Sequence, residues 1–180
     1  SRSMEAIDIS PNRLEAAKEA AINFVDSIPT GTRIGVISFS GNPYIEIDVT
    51  DDKSLVKQAI KDISLSSVGG TDLGEAVITS ANILKGEEVK SVILISDGNI
   101  NVGTITELND YAYKNGIIVH TIGIGTENGG ETSYGLSKID KDSLKAIAFN
   151  TKGSYFEIGT RESLKQSFLD ILELKFKRVP

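Results

Sequence analysis

Cysteine is absent from this 180-residue chain, which excludes disulfide frameworks, zinc–thiolate sites and thiol catalysis. Tryptophan is absent as well, and the single histidine, His120, excludes any site that needs two. No run of about 18 apolar residues occurs, so the sequence contains no membrane-spanning stretch. Basic residues are outnumbered 19 to 25, for a net charge of -6 and a pI of about 4.9. That balance argues against nucleic-acid binding through a general basic surface. What remains is a globular composition: 39% hydrophobic, 24% charged, mean hydropathy -0.06. The length suits one domain over residues 1–180, with roughly 70% of the unfolded surface buried. Ser1 stands where an initiator Met is expected, which reads as an excised or processed piece.

Helical and strand patterns alternate. Ser10-Pro11 carries a start signal, and Leu14, Ala17, Ala21, Phe24, Val25 and Ile28 follow at helical spacing. Arg33 to Ser40 reads as a strand, Gly41-Asn42-Pro43 as a turn, and Tyr44 to Val49 as an edge strand. Asp51-Asp52 opens a helix, and Leu73, Ala76, Val77, Ala81 and Leu84 mark another. Ser91 to Ser96 is a continuous apolar run, as for a strand covered on both faces. A helix from Thr104 to Asn115 ends at Gly116, and Ile117 to Gly123 is a second buried strand. Gly125 to Lys138 is glycine-rich and without period, which predicts a long surface loop. Asp140 to Asn150 is helical, Ser154 to Ile158 a last strand, and Thr160 caps a final helix through Leu172. The alternation predicts an α/β fold: three Rossmann-like layers, a mostly parallel central sheet with one antiparallel edge strand, and helices on both faces.

In such sheets ligands bind beyond the carboxyl ends of the strands. Three polar clusters fall there: Ser1-Arg2-Ser3-Met4, Gly69-Gly70-Thr71-Asp72 and Ser96-Asp97-Gly98-Asn99. Hydroxyls from Ser1, Ser3 and Thr71 and the Asp97 carboxylate are hard oxygen donors. They suit Mg²⁺, Mn²⁺ or Ca²⁺ rather than zinc or copper. One carboxylate leaves a divalent ion under-neutralised, so an Asp or Glu from a protein partner is the natural further ligand.

These three clusters, in this order, resemble the von Willebrand factor A domain and its metal-ion-dependent adhesion site, Asp-x-Ser-x-Ser with a distant Thr and a distant Asp. Ser1-Arg2-Ser3-Met4 resembles the tail of the first element, Gly69 to Leu73 the Thr element, and Leu94 to Gly98 the Asp element. Met4 to Leu14 and Thr121 to Thr126 are similar to a bacterial and archaeal subgroup, often membrane-anchored, of aerotolerance or calcium-activated-channel-like proteins. The resemblance implies metal-dependent protein binding, with Ser1, Ser3 and Thr71 as direct ligands and Asp97 direct or through water. It implies a membrane-anchored parent, an extracytoplasmic location and a last helix that shifts with metal occupancy. In the family an opening strand and a first metal Asp precede the position of Ser1. The chain is then a piece cut inside the motif, or takes that strand from another chain, or has a rearranged sheet.

Plainer readings stand beside these. Thr71 caps its helix, Asp97 is a turn residue, Asp72 is a first-turn carboxylate serving the helix dipole, and His120 is packed in its strand. Ser1-Arg2-Ser3 is a vector scar. Asp48, Asp51 and Asp52 form a solvated patch or a secondary calcium site. Gly125 to Ser137 is a recognition surface or a disordered loop. The functional alternatives to a binding module are a metal-assisted phosphohydrolase, with Asp97 or Asp72 as base, and a scaffold that has lost its metal.

Overall fold

A computed structural model describes residues 1–66, 69–100 and 103–158. A 3-10 helix, Arg2–Glu5, leads into α1 (Arg13–Ser27), then β1 (Ile34–Phe39), β2 (Pro43–Thr50), α2 (Lys53–Asp62) and α3 (Leu73–Ile83). They are followed by β3 (Lys90–Ser96), α4 (Ile105–Lys114), β4 (Ile117–Ile124), β5 (Gly130–Thr132), β6 (Gly135–Ser137), α5 (Lys141–Asn150) and β7 (Tyr155–Ile158). Each α-helix starts on a side-chain cap, from Asn12, Asp52, Asp72, Thr104 and Asp140 in turn. Each cap satisfies an otherwise orphaned N–H and contributes about 1 kcal/mol. The first helix therefore begins at Asn12-Arg13 and not at Ser10-Pro11, because the Asn12 side chain accepts from Glu15 N. The helix expected from Thr160 lies outside the described residues.

The strands build the expected α/β layers. β3, β4 and β7 run parallel in the order β3-β4-β7. β2 pairs antiparallel with β1, as an edge strand should. Strand alternation splits the apolar side chains between two cores. Ile93, Ile95, Ile122 and Ile124 pack with Ala16, Ala17 and Ala20 of α1. Val92, Leu94, Ile117 and Val119 pack with Leu73 and Val77 of α3, Leu108 of α4 and Ile147 of α5. A third cluster joins Val25 and Val56 to Ile34 and Val36 of β1.

The sheet is divided. Among the described residues β1 pairs only with β2, and β3 only with β4. Between β1 and β3 lies a cleft of about 770 Å³, lined by both strands and by α1 and α3, with Val36, Ile93 and Phe24 among its walls. The sheet has thus not rearranged to bring β1 against β3. The Ser1 ammonium sits at the cleft's upper end and donates to Phe39 O at 2.8 Å.

The stretch Gly125 to Lys138 also departs from expectation. It folds back as the antiparallel hairpin β5–β6, with Gly130 opposite Ser137 and Thr132 opposite Gly135. Three-residue strands are too short to show a period, which hides them from pattern reading.

Candidate functional site

The carboxyl ends of β1 and β3 face the start of the chain. The loop before α3 is pinned to the end of β1 by Asp72 N donating to Ser40 O at 3.2 Å. That bond brings Thr71 to the 3-10 helix: Thr71 Oγ1 lies 3.1 Å from Ser1 Oγ, and Ser1 Oγ lies 3.0 Å from Ser3 Oγ. Thr71 is only 3% exposed. Three hydroxyls from two remote stretches therefore touch.

Asp97 closes the same cavity of about 590 Å³, which Ser1, Ser3, Thr71 and Asn99 also line. It is 1% exposed. Its backbone is fixed by Asp140 N, which donates to Asp97 O at 2.7 Å. Gly98 turns the chain immediately afterwards at φ +81°, and a Cβ there would lie 2.3 Å from Asp140 O. The Asp97 carboxylate accepts from Asn99 N at 3.2 Å, from Ser137 Oγ at 2.9 Å and from Arg13 Nη1 at 3.4 Å.

Arg13 is the residue that sequence reasoning missed. It is 0% exposed at the start of α1. Its guanidinium donates to both oxygens of Asp8, to Ser137 Oγ and Ser137 O, and to Ser3 O. Gly125 makes room for it, since a Cβ there would stand 2.8 Å from Arg13 Nη2. A buried cation needs this density of partners to offset its desolvation. In the sequence Arg13 is one basic residue in an amphipathic helix, and only its place at the first turn hints at burial.

Burial lowers the pKa of the Ser1 ammonium below its ordinary value, against the opposing pull of the Asp97 charge. At Asp8, burial favours the neutral acid, but the hydrogen bonds from Arg13 and Thr126 and the Arg13 charge together hold the pKa below the usual carboxylate range.

The four predicted site residues thus share one cavity, three of them in direct contact. Spacing can be tested against an ion: octahedral oxygen ligands at about 2.0–2.1 Å stand about 3 Å from their neighbours. The separations of 3.0 and 3.1 Å are hydrogen bonds, Thr71 Oγ1 donating to Ser1 Oγ and Ser1 pairing with Ser3, and they are also compatible with that edge. A Mg²⁺- or Mn²⁺-sized ion would be held by Ser1, Ser3 and Thr71 and balanced by Asp97. Ser1 and Ser3 are part of this hydrogen-bonded network.

Other expectations sort as follows. Asp72, not Thr71, caps α3, with Oδ1 accepting from Glu75 N at 2.9 Å. Asp97 does hold a turn, through Asn99 N, in addition to lining the cavity. His120 is packed in β4, with Nδ1 accepting from Ser154 N at 3.2 Å. Asp52 caps α2. Among the described residues no group of three or more acidic or histidine side chains is placed to hold a metal, so Asp48, Asp51 and Asp52 form no calcium site.

The comparisons with known proteins agree with this architecture. The family model for the von Willebrand factor type A domain matches residues 1–99. A UPF0353 protein of Nocardia farcinica is 30% identical over 200 positions, covering 96% of this chain and 59% of the relative. The chain thus spans somewhat more than half the length of the curated relatives it matches. The solved structure of the conserved hypothetical protein BatB from Bacteroides thetaiotaomicron superimposes with a TM-score of 0.89 at 26% identity, covering 98% of this chain and 95% of BatB. An aerotolerance-related membrane protein from Bacteroides fragilis, carrying multiple mutations to serines, gives 0.86 at 23% identity, covering 97% and 94%. Proximal thread matrix protein 1 from the mussel byssus, with a zinc-occupied metal-ion-dependent adhesion motif, gives 0.70 at 22% identity, covering 90% and 42%. The last two likenesses show a shared fold alone. With the family model matching more than half of its residues, and the three-layer α/β fold on the page, the chain belongs to the von Willebrand factor type A domain family.

Proposed function

We propose that this domain binds a protein partner through a divalent cation. The hydroxyls of Ser1, Ser3 and Thr71 hold Mg²⁺ or Mn²⁺, Asp97 balances it directly or through water, and an Asp or Glu of the partner completes the shell. The observation that carries this reading is the convergence of three hydrogen-bonded hydroxyls from two remote segments with Asp97 on one cavity, at spacings an octahedral ion can bridge. The Arg13 guanidinium beside Asp97 offsets part of the only carboxylate in the cluster. An ion there stays short of negative charge, and an outside carboxylate gains by joining it. The mussel protein's zinc shows that the fold admits borderline metals too, so the hard-donor argument ranks Mg²⁺ and Mn²⁺ first without barring zinc.

The reading is of a binding module, not an enzyme. Of the two carboxylates offered as a base, Asp72 caps α3 and does not line the cavity, and Asp97 is paired with the Arg13 cation. A flat phosphatase screen is expected. A membrane-anchored parent, with this domain on the extracytoplasmic side, is part of the proposal, supported by the Bacteroides fragilis protein's description as a membrane protein. No helix among the described residues is itself long and apolar enough to cross a membrane.

A second reading has its own observation. The Arg13 guanidinium lies beside Asp97, and its positive charge opposes a cation. A metal-free scaffold that keeps the hydroxyl network would look the same. Isothermal titration separates the two. Binding heat with Mg²⁺ and Mn²⁺ that disappears in Thr71→Ala and Asp97→Ala supports the metal site. No heat in the parent chain, with partner binding that persists in EDTA, rejects it.

A further inference from the structure

The cavity that holds Ser1, Ser3, Thr71 and Asp97 has a side wall that the metal reading does not use. The hairpin β5–β6 forms it, with Thr132, Tyr134, Leu136 and Ser137 facing the cavity. Tyr134 is 70% exposed and Leu136 58% exposed. They put apolar surface directly beside the polar pocket.

The hairpin is anchored. Ser133 N and Oγ both donate to the Glu5 carboxylate. Ser137 Oγ donates to Asp97 Oδ2 at 2.9 Å, and Arg13 Nη2 donates to Ser137 O at 3.0 Å. Asn99 Nδ2 donates to Lys138 O at 2.6 Å. Gly130 packs so close that a Cβ would meet Ala6 Cβ and Asp8 Oδ1 at 2.8 Å. Wall and hydroxyl cluster are one rigid unit, so a guest on one is placed against the other.

The charge around the cavity has a sign. In a chain of net charge -6, the charged side chains lining this cavity are Arg2, Lys138 and Asp97, and Asp97 is already paired with Arg13. Arg2 also stacks over the Tyr134 ring at 4.5 Å from its centroid, presenting a cation next to an apolar surface. The combination selects an acid with an apolar neighbour.

We propose that the β5–β6 hairpin sets partner specificity: it takes a protein segment whose carboxylate is flanked by large apolar side chains, which pack on Leu136 and Tyr134 as the acid enters the cavity. The proposal rests on the carboxylate-accepting site of the preceding section.

The test uses the full chain with Mn²⁺ and three fluorescein-labelled peptides differing only at their centre: Leu-Glu-Leu, Gly-Glu-Gly and Leu-Gln-Leu. Anisotropy is expected to show the Leu-Glu-Leu peptide bound at least about tenfold more tightly than either of the others, the scale of one buried leucine. Leu136→Ser and Tyr134→Ser replace exposed side chains, and the urea midpoint and Mn²⁺ heat of each variant are measured first so that a lost fold or metal site is told from a lost wall. Each is expected to remove most of the preference over Gly-Glu-Gly, while Thr71→Ala removes binding of all acidic peptides. A leucine preference that survives in the double wall variant overturns the hairpin's role and leaves the metal site standing. A preference lost in the wall variants but indifferent to EDTA and Thr71→Ala supports the wall and sinks the metal reading. No binding of any peptide overturns the proposal outright.

Discussion

Arg13 grips the Asp8 carboxylate through one edge of its guanidinium, Nε donating to Oδ1 at 2.8 Å and Nη2 to Oδ2 at 2.7 Å. Neither side chain has more than a few per cent of its surface in water. Arg13→Met is therefore expected to cost about 3–5 kcal/mol, because it leaves Asp8 and Asp97 buried without their cation. Urea unfolding measures it. A loss below about 1 kcal/mol would show that the pair adds little to the fold.

The same pair gives a pH dependence. The folded pKa of Asp8 lies below its ordinary value, so its contribution is fully present above the unfolded carboxyl pKa. It is lost as pH falls through the folded value. Urea midpoints measured from neutral pH downward should fall more steeply in the parent chain than in Asp8→Asn. Parallel curves would exclude the pair as a source of acid sensitivity.

Asp72→Ala separates capping from ligation. Removing the α3 cap should lower stability by about 1 kcal/mol and leave the Mn²⁺ titration heat intact. Thr71→Ala should do the reverse. If Asp72→Ala abolishes the heat, Asp72 belongs among the ligands.

Much of this was legible in the residues. Helix spacing placed α3 and α5, and the unbroken run Ser91 to Ser96 announced a strand, although along it only Leu94 and Ser96 are fully buried because the cleft leaves its β1 side open. The three polar clusters fell at the predicted sheet edge because α/β connections always return there. Two things were not legible. The β5–β6 hairpin is held by contacts with Glu5, Asp8, Asp97 and Arg13, all distant in sequence, so no local pattern encodes it. The burial of Arg13 depends on nearby Asp8 but also on Ser137 and a glycine at 125, which no window around Arg13 contains.

Gly98→Ala probes the turn that aims Asp97. A methyl group would need a left-handed backbone and would meet Asp140 O at 2.3 Å. A loss of about 2 kcal/mol or more is expected, with displacement of the α5 start. Full stability in that variant would mean that the β3–α5 junction yields easily.

The cleft between β1 and β3 should bind an environment-sensitive apolar dye. Fusing about six apolar, β-branched residues ahead of Ser1 should displace that dye and raise the thermal midpoint, since each side chain buried there contributes about 1.5–3 kcal/mol. Unchanged dye binding would place the extension outside the cleft.

The inner margins of β1 and β3 carry a hazard of a different kind. Each presents backbone donors and acceptors to whatever enters from solution, with greasy walls to reward it. Such margins are templates for pairing, so where no strand of the protein itself fills the cleft, pairing between molecules is the expected hazard.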